Sequence, residues 1–196
     1  MREIKRNRAV FLDRDGTINE EVGYLDSLER LVILPGAAEA IKIINESGMK
    51  AVVITNQAGV AKGYFDEELV LATHDMISKI LAREGAFIDR FYYCPHHPTE
   101  GKGIYLQTCA CRKPEAGMLH QAARELDIDL TRSYMIGDTL RDMETASRAG
   151  TRGILVRTGY GGNMSAPLPN GSGAAPVHVA ADIFDAVRWI MTDYQK

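Results

Sequence analysis

The chain has 196 residues, 45% of them hydrophobic and 25% charged, enough for one sizeable core and too little for two. With 26 acidic against 23 basic side chains the formal net charge is -3. No global positive field exists to hold DNA or RNA by its phosphates, so an anionic ligand must be gripped by a few local cations. Three cysteines exclude a complete intramolecular disulfide framework and make a metal site or a free thiol the first expectation. No apolar run approaches a signal-peptide core or a membrane span. A single soluble, cytoplasmic domain over residues 1–196, by default a monomer, is expected.

From the N-terminus, Ala9-Val10-Phe11-Leu12 is a short apolar run that ends at Asp13. Ala37, Ala40, Ile41 and Ile44 follow at i, i+3, i+4, i+7, between Pro35 and Gly48 as start and stop signals, and predict a helix. Ala51–Ile54 runs into Thr55. Asp66 is the predicted N-cap of a longer helix with Leu69, Met76, Ile77, Ile80 and Leu81 inward and Gly85 past its end. Phe91–Tyr93 runs into Cys94. Pro95 to Pro114 has no periodicity and, at about 20 residues, is too long for a plain connector. Met118 to Leu126 and Asp142 to Ala149 predict helices on either side of Tyr134–Ile136, which runs into Gly137-Asp138. Ile154–Val156 meets Arg157. Gly159 to Pro176, rich in Gly, Pro, Ser and Asn, is expected to be a mobile surface loop without chemistry. Ile183, Val187, Ile190 and Met191 give a last helix behind Asp182. Short unalternating strands separated by helices predict an α/β fold with a parallel sheet flanked by helices.

In such a sheet ligands sit beyond the carboxyl ends of the strands. The residues there are Asp13 and Asp15, then Thr55 and Asn56, then Gly137-Asp138, with Arg112-Lys113 closing the long loop. Carboxylates converging on one edge repel unless a cation sits among them, and hard oxygen ligands suit Mg²⁺ shared with a substrate phosphate. Any single Asp-Gly reads equally as a turn cap. The order Asp13-Arg14-Asp15-Gly16-Thr17, Thr55, Lys113, Gly137-Asp138 with Asp142 does not, and it resembles the haloacid dehalogenase (HAD) superfamily of phosphotransferases. That resemblance implies a HAD-like Rossmannoid fold and covalent catalysis. Asp13 would be the nucleophile, Asp15 the general acid–base, and Thr55 and Lys113 the holders of the transferring oxygens. Mg²⁺ would be bound by Asp13, the Asp15 carbonyl and Asp138, with Asp142 orienting this shell.

Cys94-Pro95-His96 and Cys109-Ala110-Cys111 place three thiols and one imidazole at the two ends of the irregular loop. Four ligands from two close pairs suit tetrahedral Zn²⁺, and a closed Cys₃His site is structural. A zinc loop over residues 94–111, inserted between the second and third motifs, is therefore expected. Spacing does not separate His96 from its neighbour His97, the alternative ligand. His74, His120 and His178 read as ordinary helix or strand residues.

The loop narrows the resemblance to the HAD branch that acts on heptose 1,7-bisphosphate and on histidinol phosphate. Thr55-Asn56-Gln57-Ala58-Gly59 and the second histidine of Cys94–Pro98 favour the former. One departure is Thr139, where the branch often has lysine. Only about 40 residues separate the first two motifs, so no cap domain fits there. Selectivity is expected from short loops: Glu21, Val22, Gly23 and Tyr24 by resemblance, then Thr55 to Ala58, then Arg112 beside Lys113. A bisphosphate carries a second dianion, for which the planar, always charged Arg112 is the expected partner. Lys62 is a weaker candidate. The implied activity is Mg²⁺-dependent removal of the 7-phosphate of a heptose 1,7-bisphosphate through an aspartyl-phosphate, with histidinol phosphate as rival substrate. A phospho-accepting receiver domain is the non-enzymatic rival; Asp15 argues against it, because a dedicated acid–base serves turnover.

Overall fold

The computed structural model describes residues 6–163 and 174–194. In chain order the elements are β1 (Ala9–Leu12), α1 (Ala37–Glu46), β2 (Lys50–Asn56), α2 (Ala58–Lys62), α3 (Glu67–Arg83), β3 (Arg90–Cys94), α4 (Gly117–Glu125), β4 (Tyr134–Gly137), α5 (Leu140–Ala149), β5 (Arg152–Val156), β6 (His178–Ala180) and α6 (Ile183–Tyr194). The six strands form one sheet in the order β3-β2-β1-β4-β5-β6, and every neighbouring pair is parallel.

Strand β1 is central, and all four of its side chains are fully buried. Val10 and Leu12 face a core shared with α1, the Ile77/Leu81 stripe of α3 and α6. Ala9 and Phe11 face a second core shared with α4 and with Ala146 and Ala149 of α5. A strand covered on both faces has no room for polar alternation, which is why these runs are continuously apolar. Each fully buried Leu, Ile or Phe contributes about 1.5–3 kcal/mol, and the four buried side chains of β1 anchor both cores. Leu12 pairs with Val53 of β2 and with Ile136 of β4. That register sets the residues following all three strands on one edge, and Asp13 N–H extends the ladder by donating to Ile136 O at 2.9 Å.

Several boundaries differ from the sequence reading. Helix α5 starts at Leu140 because Thr139 is its N-cap and Asp142 closes a capping box, so Asp142 lies inside the first turn. Helix α3 begins behind Asp66, whose side chain accepts from Leu69 N–H. Its buried stripe, however, is Val70, Thr73, His74, Ile77 and Leu81, with Leu69, Met76 and Ile80 at the half-buried margin. Helix α2 spans five residues, too few to display a period. Strand β6 has three residues and no apolar run to announce it. Of the expected loop from Gly159 to Pro176, Gly159–Asn163 forms a 3₁₀ turn, and 164–173 lie outside the described residues. Among the described residues no helix is long and apolar enough to cross a membrane.

The junction of β4 and α5 is unusually close: a Cβ at Gly137 would lie 2.4 Å from Cβ and Cγ of Asp142. Gly137→Ala is therefore expected to push the first turn of α5 off the sheet and to lower stability by about 1–3 kcal/mol. Urea denaturation measures this, and an unchanged midpoint would show that the helix is not held by that contact.

Candidate active site at the carboxyl edge of the sheet

Lys113 is the centre of the edge. Its side chain is 3% exposed, and its Nζ lies 2.8 Å from Asp13 Oδ2 and 2.7 Å from Asp142 Oδ1. The main chain of Lys113 is fixed by Asn56, which donates through Nδ2 to Lys113 O and accepts from Lys113 N–H, both at 3.0 Å. The amide of Asn56 is thereby committed to positioning Lys113. Asp142 accepts on its second oxygen from the Thr139 hydroxyl at 2.6 Å and the Thr139 N–H at 3.1 Å. Asp138, buried beside them, accepts from Tyr160 N–H at 2.8 Å.

Two glycines make room for Asp138. Gly16 has φ +79, and a Cβ there would lie 2.3 Å from Asp138 Oδ2; a Cβ at Gly159 would lie 2.2 Å from the same atom. Thr158 ties the two segments by donating to Gly16 O at 2.6 Å.

One carboxylate oxygen from each of Asp13, Asp138 and Asp142 lies within 4.8 Å of the other two. Lys113 offsets only part of that charge. Burial raises the Asp13 carboxyl well above its ordinary value, against the pull of Lys113 and with the push of Asp142 and Asp138. Burial likewise raises Asp138 to about 7. Such an oxygen-only, over-charged cluster fits a hard divalent cation, and Mg²⁺ with substrate phosphate as co-ligand is the match. Both oxygens of Asp142 are engaged by Lys113 and Thr139, which suits orientation of the shell and leaves Asp13 and Asp138 for the metal.

Asp15 sits apart from this cluster. Its carboxylate takes Arg14 Nε at 3.1 Å and Nη2 at 2.8–2.9 Å, Asn19 Nδ2 at 2.9 Å and Gln57 Nε2 at 2.9 Å. Burial by itself would raise its pKa; the Arg14 charge and the hydrogen bonds from Asn19, Arg14 and Gln57 together outweigh it and lower the carboxyl. Gln57 also donates to Thr55 Oγ1 at 2.8 Å, which leaves the Thr55 hydroxyl proton for another acceptor. Gln57 thus bridges Asp15 and Thr55.

Asp13, Thr55, Lys113 and Asp138 line a cavity of about 110 Å³ that also meets Glu21 and Tyr160. A hollow of about 220 Å³ adjoins it, lined by Gly23, Tyr24, Ala58 and Arg112 among others. Val22 lines neither and accepts from Arg30 through its carbonyl, so of the expected selectivity loop Val22 is displaced from the hollows. Glu21, half-buried, is raised in pKa by desolvation. Lys62 is paired with Glu100 at 2.8 Å and lines neither hollow. Thr139 is occupied as a helix cap and offers no ammonium.

Cys94, at the end of β3, meets the returning end of the loop. Its Sγ is 3.5 Å from Cys109 Sγ and 3.2 Å from Cys111 Sγ, and His96 Nδ1 is 3.3 Å from Cys111 Sγ. All three thiols are free of disulfides, and the four donor atoms lie within 4.8 Å of one another. Hydrogen bonds from Cys94 and Cys109 draw the Cys111 thiol down to about 5, the thiolate form that a metal needs. The set fits Zn²⁺. His97 Nδ1 instead accepts from the N–H groups of Thr99 and Glu100, and the histidine clustered with the three thiols is His96. Histidines 74, 120 and 178 lie in α3, α4 and β6. His74 stacks on Phe91, and burial lowers its pKa to about 3.

Three contacts carry no signal that the sequence reading used. Tyr160 reaches Asp138 through its main chain and lines the cavity, so the start of the expected chemistry-free loop belongs to the site. Arg14, 1% exposed, clamps Asp15. Arg141 lines the cavity and its neighbours.

Residues 110–186 match the HAD-hydrolase-like family model (Hydrolase_like). The chain is similar to D-glycero-beta-D-manno-heptose-1,7-bisphosphate 7-phosphatase of Photorhabdus laumondii, 47% identical over 160 residues, 81% of this chain and 85% of that protein. It is also similar to D-glycero-D-manno-heptose-1,7-bisphosphate 7-phosphatase of Thermosynechococcus vestitus, 40% identical over 191 residues, 94% and 95% of the two chains. Among solved structures, D,D-heptose 1,7-bisphosphate phosphatase from B. bronchiseptica, complexed with magnesium and phosphate, superposes with a TM-score of 0.82 at 34% identity, covering 95% of this chain and 99% of that one. At that identity over nearly the whole length, the chain belongs to the D-glycero-D-manno-heptose-1,7-bisphosphate 7-phosphatase family of HAD-like phosphohydrolases.

Proposed function

We propose that this chain removes the 7-phosphate of D-glycero-D-manno-heptose 1,7-bisphosphate through an aspartyl-phosphate on Asp13. The observation that carries the reading is the Asp13 carboxylate held by Lys113 on the floor of a polar cavity, beside Asp138 and the Thr55 hydroxyl. The side chain of Asp13 is 13% exposed: Oδ2 meets Lys113 at 2.8 Å and Oδ1 accepts from Arg14 N–H at 2.7 Å, and the carboxylate still lines the cavity.

In the first half-reaction an Asp13 oxygen attacks phosphorus in line, and the bond from phosphorus to the sugar oxygen breaks. Asp15 gives that oxygen its proton. A dianionic ester close to Asp15 favours the protonated form of the carboxyl, against the Arg14 clamp. In the second half-reaction water attacks the acyl phosphate, Asp15 takes its proton, and inorganic phosphate leaves Asp13 free. Thr55 and Lys113 donate to the oxygens on which negative charge is redistributed. Mg²⁺ would be held by the Asp13 and Asp138 carboxylates and the Asp15 main-chain carbonyl, and when bound would supply charge neutralisation at the attacking carboxylate and the phosphoryl group. The half-buried Glu21 is placed to accept hydrogen bonds from sugar hydroxyls. Cys94, His96, Cys109 and Cys111 would hold Zn²⁺, which would staple the loop that ends in Arg112-Lys113. Such a thiolate site belongs in a reducing compartment, in keeping with a cytoplasmic enzyme.

A Mg²⁺ assay of both anomers of heptose 1,7-bisphosphate, heptose 7-phosphate, fructose 1,6-bisphosphate and histidinol phosphate is expected to give the highest kcat/KM with a heptose bisphosphate. A preference for histidinol phosphate overturns the substrate while leaving the chemistry at Asp13. Asp13→Asn is expected to release no phosphate and Asp15→Asn to slow turnover by about 10²–10⁴; wild-type turnover in Asp13→Asn removes the nucleophile.

Metal content supplies two further expectations. Elemental analysis of protein purified without added metal is expected to find zinc, and a chelator that removes it should raise KM; native protein free of zinc refutes the staple. For Mg²⁺ the sign follows from Asp138. A carboxyl raised to about 7 is protonated below that pH and must lose the proton to bind a cation. Affinity should therefore fall, by up to about tenfold per pH unit, as pH drops from 7 towards 5. Calorimetry in buffers of different ionisation enthalpy should show proton release; pH-independent binding excludes Asp138 as a ligand.

A further inference from the structure

Arg141 stands in the first turn of α5, two residues after the neutral, fully engaged Thr139. It lines the reaction cavity, the adjoining hollow of about 220 Å³ and a third hollow of about 300 Å³ on the zinc-loop side. Arg112 lines the second and third of these. Other cations around the site are already neutralised: Lys113 by Asp13 and Asp142, Arg14 by Asp15, Lys62 by Glu100. Glu115, on the rim of the third hollow, pairs with Arg148. The guanidinium of Arg141 has no ion pair or hydrogen bond among the described residues, and Arg112 spends one N–H on His96 O at 3.0 Å.

Two guanidinium groups bordering the same space, with no carboxylate bound to either, form an anion site one step removed from the attacking carboxylate. Planar forks of N–H donors match phosphate oxygens in pairs. We propose that Arg141, together with Arg112, binds the phosphoryl group that is not transferred, and that Arg141 thereby sets the preference for bisphosphates over monophosphates. The proposal rests on the heptose bisphosphate reading and deepens it. Arg141 touches the remote phosphate and takes no part in bond making at Asp13.

The test compares heptose 1,7-bisphosphate with heptose 7-phosphate in wild type, Arg141→Gln and Arg141→Lys. Loss of one charge-assisted contact corresponds to about 10- to 100-fold in binding. Arg141→Gln is therefore expected to raise KM for the bisphosphate by that factor, with a smaller change in kcat, and to reduce the bisphosphate-to-monophosphate ratio of kcat/KM correspondingly. Arg141→Lys keeps the charge without the fork and should recover part of the ratio. Inhibition by a hexose 1-phosphate, read in parallel, should weaken in Arg141→Gln, and a thermal melt checks that the variant is folded. A wild-type enzyme without bisphosphate preference removes the substrate reading and this proposal with it. A wild-type preference that Arg141→Gln leaves within about twofold overturns the role of Arg141 alone.

Discussion

A single buried ammonium organises this molecule. Lys113 brings one positive charge to an edge where Asp13, Asp138 and Asp142 bring three acids, and removing one partner from such a buried pair typically costs about 3–5 kcal/mol. Its position is therefore overdetermined: the side chain by two carboxylates, the main chain by two hydrogen bonds to Asn56. Asp142 is in turn held by the capping box that starts α5. The same residue closes a helix and orients a lysine, so secondary structure and reaction geometry are set by one interaction.

The strand order explains why these groups meet. Strand β1 sits between β2 and β4, so the chain leaves the centre of the sheet in one direction from Asp13, while Thr55 lies at the end of β2, just before Asn56, and Asp138 follows β4. The loop that carries the cysteines leaves β3 at Cys94 and returns at Cys111, immediately before Arg112 and Lys113. A metal held by the proposed Cys94, His96, Cys109 and Cys111 set would fix Lys113 and Arg112 together. On the proposed reading, phosphoryl transfer and recognition of the second phosphate are separated in space but share this one segment, which suits a substrate with two phosphates.

Much of this was legible in the sequence because it lies in side chains of unusual type at strand ends. Asp13, Thr55, Lys113 and Asp138 are polar residues where an apolar run stops, and Cys94, Cys109 and Cys111 are too few and too close to be incidental. What escaped has a physical reason in each case. Tyr160 acts on Asp138 through a backbone N–H, which any residue possesses. Arg141 lies on an exposed helix turn, where an arginine reads as solvated. His96 and His97 are equivalent in spacing, and only the direction of their Nδ1 atoms separates them. Strand β6 owes its existence to pairing with β5, a long-range contact that its three residues do not encode.

The state of Asp15 ties the electrostatics to the order of events. Arg14, Asn19 and Gln57 hold its carboxyl lowered in pKa, which favours the ionised form that the proposed second half-reaction needs to take a proton from water. The first half needs the opposite form. In the proposed mechanism the dianionic ester entering beside Asp15 would shift that balance towards the protonated acid, whereas the clamp by itself favours the base. On that proposal the clamp makes proton donation conditional on substrate, and Gln57, which donates to both Asp15 and Thr55, physically joins the two groups to which the proposal gives acid–base and phosphoryl-holding roles.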